Sequence, residues 1–121
     1  MIRQRLHRPT GARIVHEQDG GEGRVRAFHR GKQVGELVYH VNESYFPEKT
    51  LYPDQLDVDQ SHRGRGLATA MHGAALKDRP GLSMTHTVDG MSPDARRVLG
   101  RLQTEQPGRH KVFDESKRSY L

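Results

Sequence analysis

Arg63, Gly64, Arg65 and Gly66 follow the segment Leu56-Asp57-Val58 across a polar bend, and Leu67 and Ala68 open an apolar-striped stretch directly after them. A strand, a glycine-rich bend and a helix start, in that order, make an anion site. Glycine lets consecutive N–H groups turn the same way, and a helix start adds roughly half a positive charge, so a phosphate can be held by main-chain donors. Two arginines interleave with the glycines and suit phosphate oxygens. Two glycines alone also read as a tight turn with solvated arginines. The strand behind and the helix ahead favour the phosphate.

Two familiar phosphate motifs fail on spacing. A P-loop places Lys and then Ser or Thr after its second glycine, where Leu67 and Ala68 stand here. A dinucleotide fingerprint places a third glycine where Thr69 stands. Its glycines also lie directly at a strand end, and here Asp59 to Arg63 intervene after an antiparallel hairpin.

The elements around the bend follow from periodicity. Arg24 to Arg30 and Gln33 to Val41 alternate apolar with polar about a turn at Arg30-Gly31-Lys32, which predicts two antiparallel strands. A short strand is expected around Arg13 to Glu17, and Met1 to Gly11, rich in arginine, reads as a mobile basic arm. Leu51 to Val58 is a further strand with Pro53 near its start. Leu67, Ala68, Met71, Ala74 and Ala75 form one stripe of a helix closed before Pro80-Gly81. Leu82 to Val88 alternates again. Ser92, Pro93 and Asp94 then give a helix start with a side-chain cap, a preset φ and an acid at its positive end. Ala95, Val98, Leu99 and Leu102 are its buried side, and Lys111 to Asp114 is a last strand. One α+β domain over residues 1–121, built on one sheet, accommodates this order.

Composition narrows the chemistry. The 121 residues carry 20 Lys plus Arg against 15 Asp plus Glu, a net charge of +5, and no cysteine. Disulfides, a thiolate nucleophile and Cys-ligated zinc are therefore excluded. The eight histidines show no paired metal spacing and read as scattered surface residues, so no metal is expected. No apolar run is long enough to span a bilayer, which leads to an expectation of a cytoplasmic protein without a membrane partner. The positive charge invites a nucleic-acid reading, which the low aromatic content of 6% does not favour.

Arg63-Gly64-Arg65-Gly66-Leu67-Ala68 resembles the Arg/Gln-x-x-Gly-x-Gly/Ala signature of the GNAT superfamily of acyl-CoA-dependent N-acetyltransferases, with Leu56-x-Val58 at the matching distance upstream. The resemblance implies a mostly antiparallel central sheet with two splayed strands and flanking helices. It also implies acetyl-CoA as co-substrate. Main-chain amides from Arg63 to Ala68 would hold its pyrophosphate, Leu56, Asp57 and Val58 would pair with the pantetheine arm, and Arg63 and Arg65 are phosphate partners or solvated side chains. The implied reaction is direct attack of an amine on the thioester in a ternary complex, for which the missing cysteine is immaterial.

Candidates for the general base are Asp57, Glu36 and His86, with His86 placed first because an ordinary imidazole titrates near neutrality. The family often donates a proton from a tyrosine on the last helix. Leu99 stands at that place and has none to give, while Ser92 matches a pantetheine contact or serves only as helix cap. The N-terminal helices that commonly shape the acceptor pocket lack a counterpart between Met1 and Arg30, so the acceptor side is expected to be open, supplied by a partner subunit as in a homodimer, or lost. The acceptor amine is not readable. Two other readings stand beside the transferase: a basic nucleic-acid-binding module, and an acyl-CoA-binding regulator without turnover.

Overall fold

A computed structural model describes residues 2–89 and 91–121. Five strands come first: β1 (Ile2–His7), β2 (Ala12–Asp19), β3 (Glu22–His29), β4 (Lys32–Asn42) and β5 (Thr50–Val58). Helix α1 (Leu67–Lys77), strand β6 (Met84–Thr87), helix α2 (Pro93–Glu105) and strands β7 (His110–Asp114) and β8 (Ser119–Tyr120) follow. All eight strands lie in one sheet in sequence order, antiparallel except for β5–β6 and β6–β7.

Cross-strand register puts the apolar residues on one face. Ile14 pairs with Ala27, Ala27 with Gly35, Val25 with Leu37, and Leu37 with Leu56. Onto this face α1 lays Leu67, Met71, Ala74 and Ala75, which with Leu51 and Met84 complete the core. Arg109 closes the far end of that helix, its guanidinium donating to the carbonyls of Leu76, Arg79 and Leu82 at 2.9–3.1 Å. A cation on the carbonyls at a helix C-terminus is favourable both as hydrogen bond and as dipole partner.

The basic arm is corrected. Residues 2–7 form β1, paired with β2 from Ile2↔Glu17 to His7↔Ala12. The charges that suggested mobility are satisfied on α1: Arg3 Nε meets Asp78 Oδ1 at 2.7 Å, and Arg5 donates to the Ala70 carbonyl at 2.9 Å. The reading of the histidines as surface residues is corrected as well, because His16, His72, His86 and His110 are buried. His16 bridges the Tyr39 hydroxyl at 2.6 Å and Asp78 Oδ2 at 3.1 Å. Its pKa is nevertheless lowered, burial outweighing the carboxylate. Among the described residues no helix is long and apolar enough to cross a membrane.

Between β5 and β6 the sheet opens. Leu51↔Met84 is their pairing, reinforced by Leu51 N–H to the Ser83 carbonyl at 2.9 Å and by a Thr50–Thr85 hydroxyl bond at 2.8 Å. Pro53, without an N–H, sits where β5 leaves its parallel neighbour, opposite a register shift at Val38/Tyr39 in β4. From β2 to β3 the chain turns through Gly20 and Gly21, so a hairpin occupies that connection.

One close approach fixes β3 against β4. A Cβ on Gly23 would lie 2.1 Å from Cζ of the fully buried Tyr39 ring. Gly23→Ala is expected to lower the unfolding free energy by about 3 kcal/mol, read as a lower denaturant midpoint at unchanged m-value. An unaltered midpoint contradicts this packing.

Candidate active site

The bend after β5 is built to leave donors free. Gly64 (φ +77°) and Gly66 (φ +83°) are left-handed, a region that glycine enters without strain. Gly66 is also the N-cap of α1 and brings no side chain to its first amides. The first backbone bond is Ala70 N–H to the Gly66 carbonyl at 3.0 Å; among the described residues the N–H groups of Gly64, Arg65, Gly66, Leu67 and Ala68 have no acceptor. Arg63 holds the bend to β5 by donating from Nε to the Val58 carbonyl at 2.8 Å.

This bend forms one wall of an open cleft of about 690 Å³, which Leu56 and Val58 of β5 and Ala95, Val98 and Arg101 of α2 complete. A second cavity of about 180 Å³ lies between the parting strands and shares Leu56, Ala95 and Val98 with the first. The two adjoin, so a long ligand anchored at the bend can reach the gap between β5 and β6. His72, His86 and Leu99 line the smaller one.

The sequence-derived residues divide accordingly. Leu56, Val58, Arg63, Gly64, Gly66, Leu67, Ala68 and Ser92 line the cleft. Ser92 Oγ also accepts from Ala95 N–H at 3.1 Å and caps α2. His86 lines the smaller cavity. Asp57 and Glu36 face each other across β5 and β4, Asp57 held by Gln55 Nε2 at 2.6 Å and Glu36 3.6 Å from Arg24. Neither belongs to the lining of either cavity, nor does Arg65.

Several residues escaped the sequence reading. Arg97 and Arg101, four apart on α2, add cations to the cleft wall facing the bend, and this i,i+4 spacing was a legible signal. His110 and the half-buried Gln106 form a hydrogen-bonded chain with His86, His72 packs its ring against both histidines, and no local spacing announces the group. His86 Nε2 lies 2.9 Å from His110 Nδ1, His110 Nε2 lies 2.5 Å from Gln106 Oε1, and Gln106 Nε2 donates to the Thr69 carbonyl at 2.9 Å. His72 Nδ1 sits 2.7 Å from the Ala68 carbonyl. Burial, with smaller contributions from the neighbouring imidazoles, pushes His86 down to about 3, and burial pushes His72 down to about 4. All are neutral near pH 7. Among the described residues no group of three or more His, Cys, Asp or Glu is arranged to hold a metal ion.

The family model described as the acetyltransferase (GNAT) family matches residues 2–99. The chain belongs to the GNAT acetyltransferase family. Solved GNAT proteins share its fold at low sequence identity. A ribosomal-protein-alanine N-acetyltransferase from Brucella melitensis biovar Abortus 2308 is 22% identical, over 70% of this chain and 63% of its own, at a TM-score of 0.50. Two aminoglycoside acetyltransferases from uncultured soil metagenomic samples are also similar. HMB0005 is 18% identical over 74% of this chain and 61% of its own, at a TM-score of 0.54. The second, meta-AAC0020 in complex with sisomicin, is 17% identical over 74% and 60%, at 0.53. This GNAT chain thus spans less than two thirds of these proteins' lengths. No curated protein matches it.

Neutral burial sets the pH dependence of stability. The unfolded chain binds protons at these histidines below about 6.5 while folded His72 and His86 resist until about 4 and about 3, so stability is full above pH 6.5 and falls on acidification. Each contributes a slope of about 1.4 kcal/mol per pH unit through that window. Urea unfolding at pH 7 and pH 5 is expected to show a lower midpoint at pH 5, and equal midpoints contradict neutral burial.

Proposed function

We propose that this chain transfers an acetyl group from acetyl-CoA to an amine by direct attack within a ternary complex. The observation that carries this reading is the set of unpaired amides from Gly64 to Ala68 at the mouth of a cleft that runs into the gap between β5 and β6. Main-chain donors at a helix start suit a diphosphate, and the cleft wall carries Arg63, Arg97 and Arg101, the last two ion-paired with Asp94 and Glu105 and within reach of a more strongly charged phosphate. The unpaired edge of β5 beyond Leu51 suits an extended, amide-bearing arm added as a strand. Acetyl-CoA supplies both features and carries the acyl group as a thioester.

The chain's own residues position and deprotonate. The bend fixes one end of the co-substrate, Leu56 and Val98 exclude water along its arm, and the stretch of β5 beyond Leu51, which has no β6 partner, offers main-chain N–H groups to the carbonyl oxygen. His86, neutral and lining the inner cavity, is the proton acceptor. Asp57 and Glu36, on the sheet face away from α1, attract a cationic amine to the opening. The hairpin in place of a covering element between β2 and β3 leaves that face accessible to the acceptor.

Calorimetry with acetyl-CoA is expected to give saturable binding, and Gly66→Glu to weaken it about tenfold or more, the loss of one charge-assisted bond being sufficient. Release of free thiol on adding a lysine peptide, a polyamine or an aminoglycoside distinguishes turnover from binding alone. Absence of heat at millimolar acetyl-CoA overturns the proposal. Salt-sensitive DNA binding without any response to acetyl-CoA favours the nucleic-acid module instead.

A further inference from the structure

We propose that His86 carries the proton of the transfer both ways, from the amine nitrogen to the departing sulfur, and that His110 and Gln106 are its positioning residues. This rests on the acetyl-transfer reading above.

The hydrogen-bond chain has only one consistent polarity. The Thr69 carbonyl can only accept, so the Gln106 amide nitrogen faces it and the Gln106 oxygen faces His110. His110 Nε2 therefore carries the proton and its Nδ1 is bare. His86 Nε2 must then donate to that bare nitrogen, which leaves His86 Nδ1 with a free lone pair. By the same logic His72 spends Nδ1–H on the Ala68 carbonyl and keeps a bare Nε2. Among the described residues neither bare nitrogen has a hydrogen-bond partner, and both rings line the cavity between β5 and β6.

Protonation at His86 Nδ1 breaks nothing. The imidazolium still donates from Nε2 to His110, as the neutral ring did, so the site needs no rearrangement when charge appears. The groups around His86 are His72 from α1, His110 from β7 with Arg109 beside it, and Asp54 from β5; α2 contributes Ala95, Leu99 and Leu102, which do not titrate. Burial disfavours the charged form, so His86, held well below the ordinary imidazole range, takes a proton only from the acidic N–H of the tetrahedral adduct and surrenders it at once to the departing thiolate.

The need for a second acid then disappears. Among the described residues no tyrosine lines either cavity, Leu99 occupies the wall, and the Ser92 hydroxyl is engaged in capping α2. The cationic amine first gives its ammonium proton to solvent; as the neutral nitrogen then bonds to the acetyl carbon, the carbon–sulfur pair stays on sulfur. His86 Nδ1 takes the proton released by nitrogen and hands it to that sulfur. An amide and a thiol leave, and His86 is neutral again.

The test uses the full chain, acetyl-CoA and whichever panel amine releases most thiol. His86→Gln is expected to lower kcat about 100-fold or more, with acetyl-CoA affinity changed less than about twofold. His110→Asn, whose oxygen can accept from His86 Nε2–H, should keep most of kcat, whereas His110→Leu should fall with His86→Gln at unchanged KM for acetyl-CoA. Nitrogen-15 NMR of the wild-type imidazoles gives a readout independent of variant folding. A bare Nδ1 on His86 and a bare Nε2 on His72 are expected, and the opposite tautomers overturn the relay. Wild-type turnover with His86→Gln unimpaired overturns the relay alone, while a wild type that neither binds acetyl-CoA nor releases thiol overturns the reading beneath it.

Discussion

The rest of the site depends on the parting of β5 from β6. Two parallel strands that stayed paired would close the sheet, fill the inner cavity and leave α2 nothing to cover. Here Thr50 and Thr85 pin the strands by their hydroxyls at 2.8 Å, beside the Leu51↔Met84 pair, and β5 then runs on to Val58 without its neighbour. Pro53 removes one donor at the divergence, and the register shift opposite it in β4 increases the local bend. An exposed strand edge is an aggregation liability unless something is meant to pair with it. A strand-like ligand satisfies the edge and makes its exposure useful.

The opposite face of the sheet shows how the chain does without helices there. Val15, Arg26, Glu36 and Asp57 form one row across β2 to β5, and Glu17, Arg24, Val38 and Gln55 form the next. Arg26 pairs with Glu17, Arg24 lies 3.6 Å from Glu36, and Arg13 and Arg26 sit 5.3 and 5.8 Å from the Phe28 ring centroid. Half-exposed ion pairs contribute about 1 kcal/mol at most, so stability comes from the α1 face while this lattice keeps the other face in water. Farther along, Phe46 packs on Tyr52 and Phe113 and gives the β5–β7 end an aromatic cover.

Legibility follows the range of the interactions. Strand alternation from Arg24 to Val41, the α1 stripe and the Ser92 cap are local patterns, and each element appears where its pattern lies. The form of the glycine bend was legible for the same reason, since its glycines, its helix and Val58 are near in sequence. The arm at residues 2–7 was misread because Arg3 is paired with Asp78 and Arg5 donates to the Ala70 carbonyl, partners far along the chain. The two-residue strand β8 is too short to show a period. The buried histidines were illegible individually: His72, His86 and His110 meet only when α1, β6 and β7 stack, and hydrophilic residues at wide spacing resemble surface until that stacking is known.

Their burial has a cost that explains the form of the site. A buried imidazole is tolerable when neutral and hydrogen-bonded; His72 and His86 each have one ring nitrogen committed to a partner, and His110 has both. Gln106 serves this better than a carboxylate. A carboxylate at that place would favour an imidazolium on His110, whose Nδ1–H would then point at His86, whereas an amide fixes direction without adding charge. The neutral chain therefore ends in a lone pair at the cavity rather than in a proton. That polarity is set by the Thr69 carbonyl, which lies in the first turn of α1 beside the unpaired amides of the bend. One helix start thus governs both ends of the site: its free N–H groups suit an anion, and its carbonyl, through Gln106 and His110, decides which nitrogen of His86 is basic.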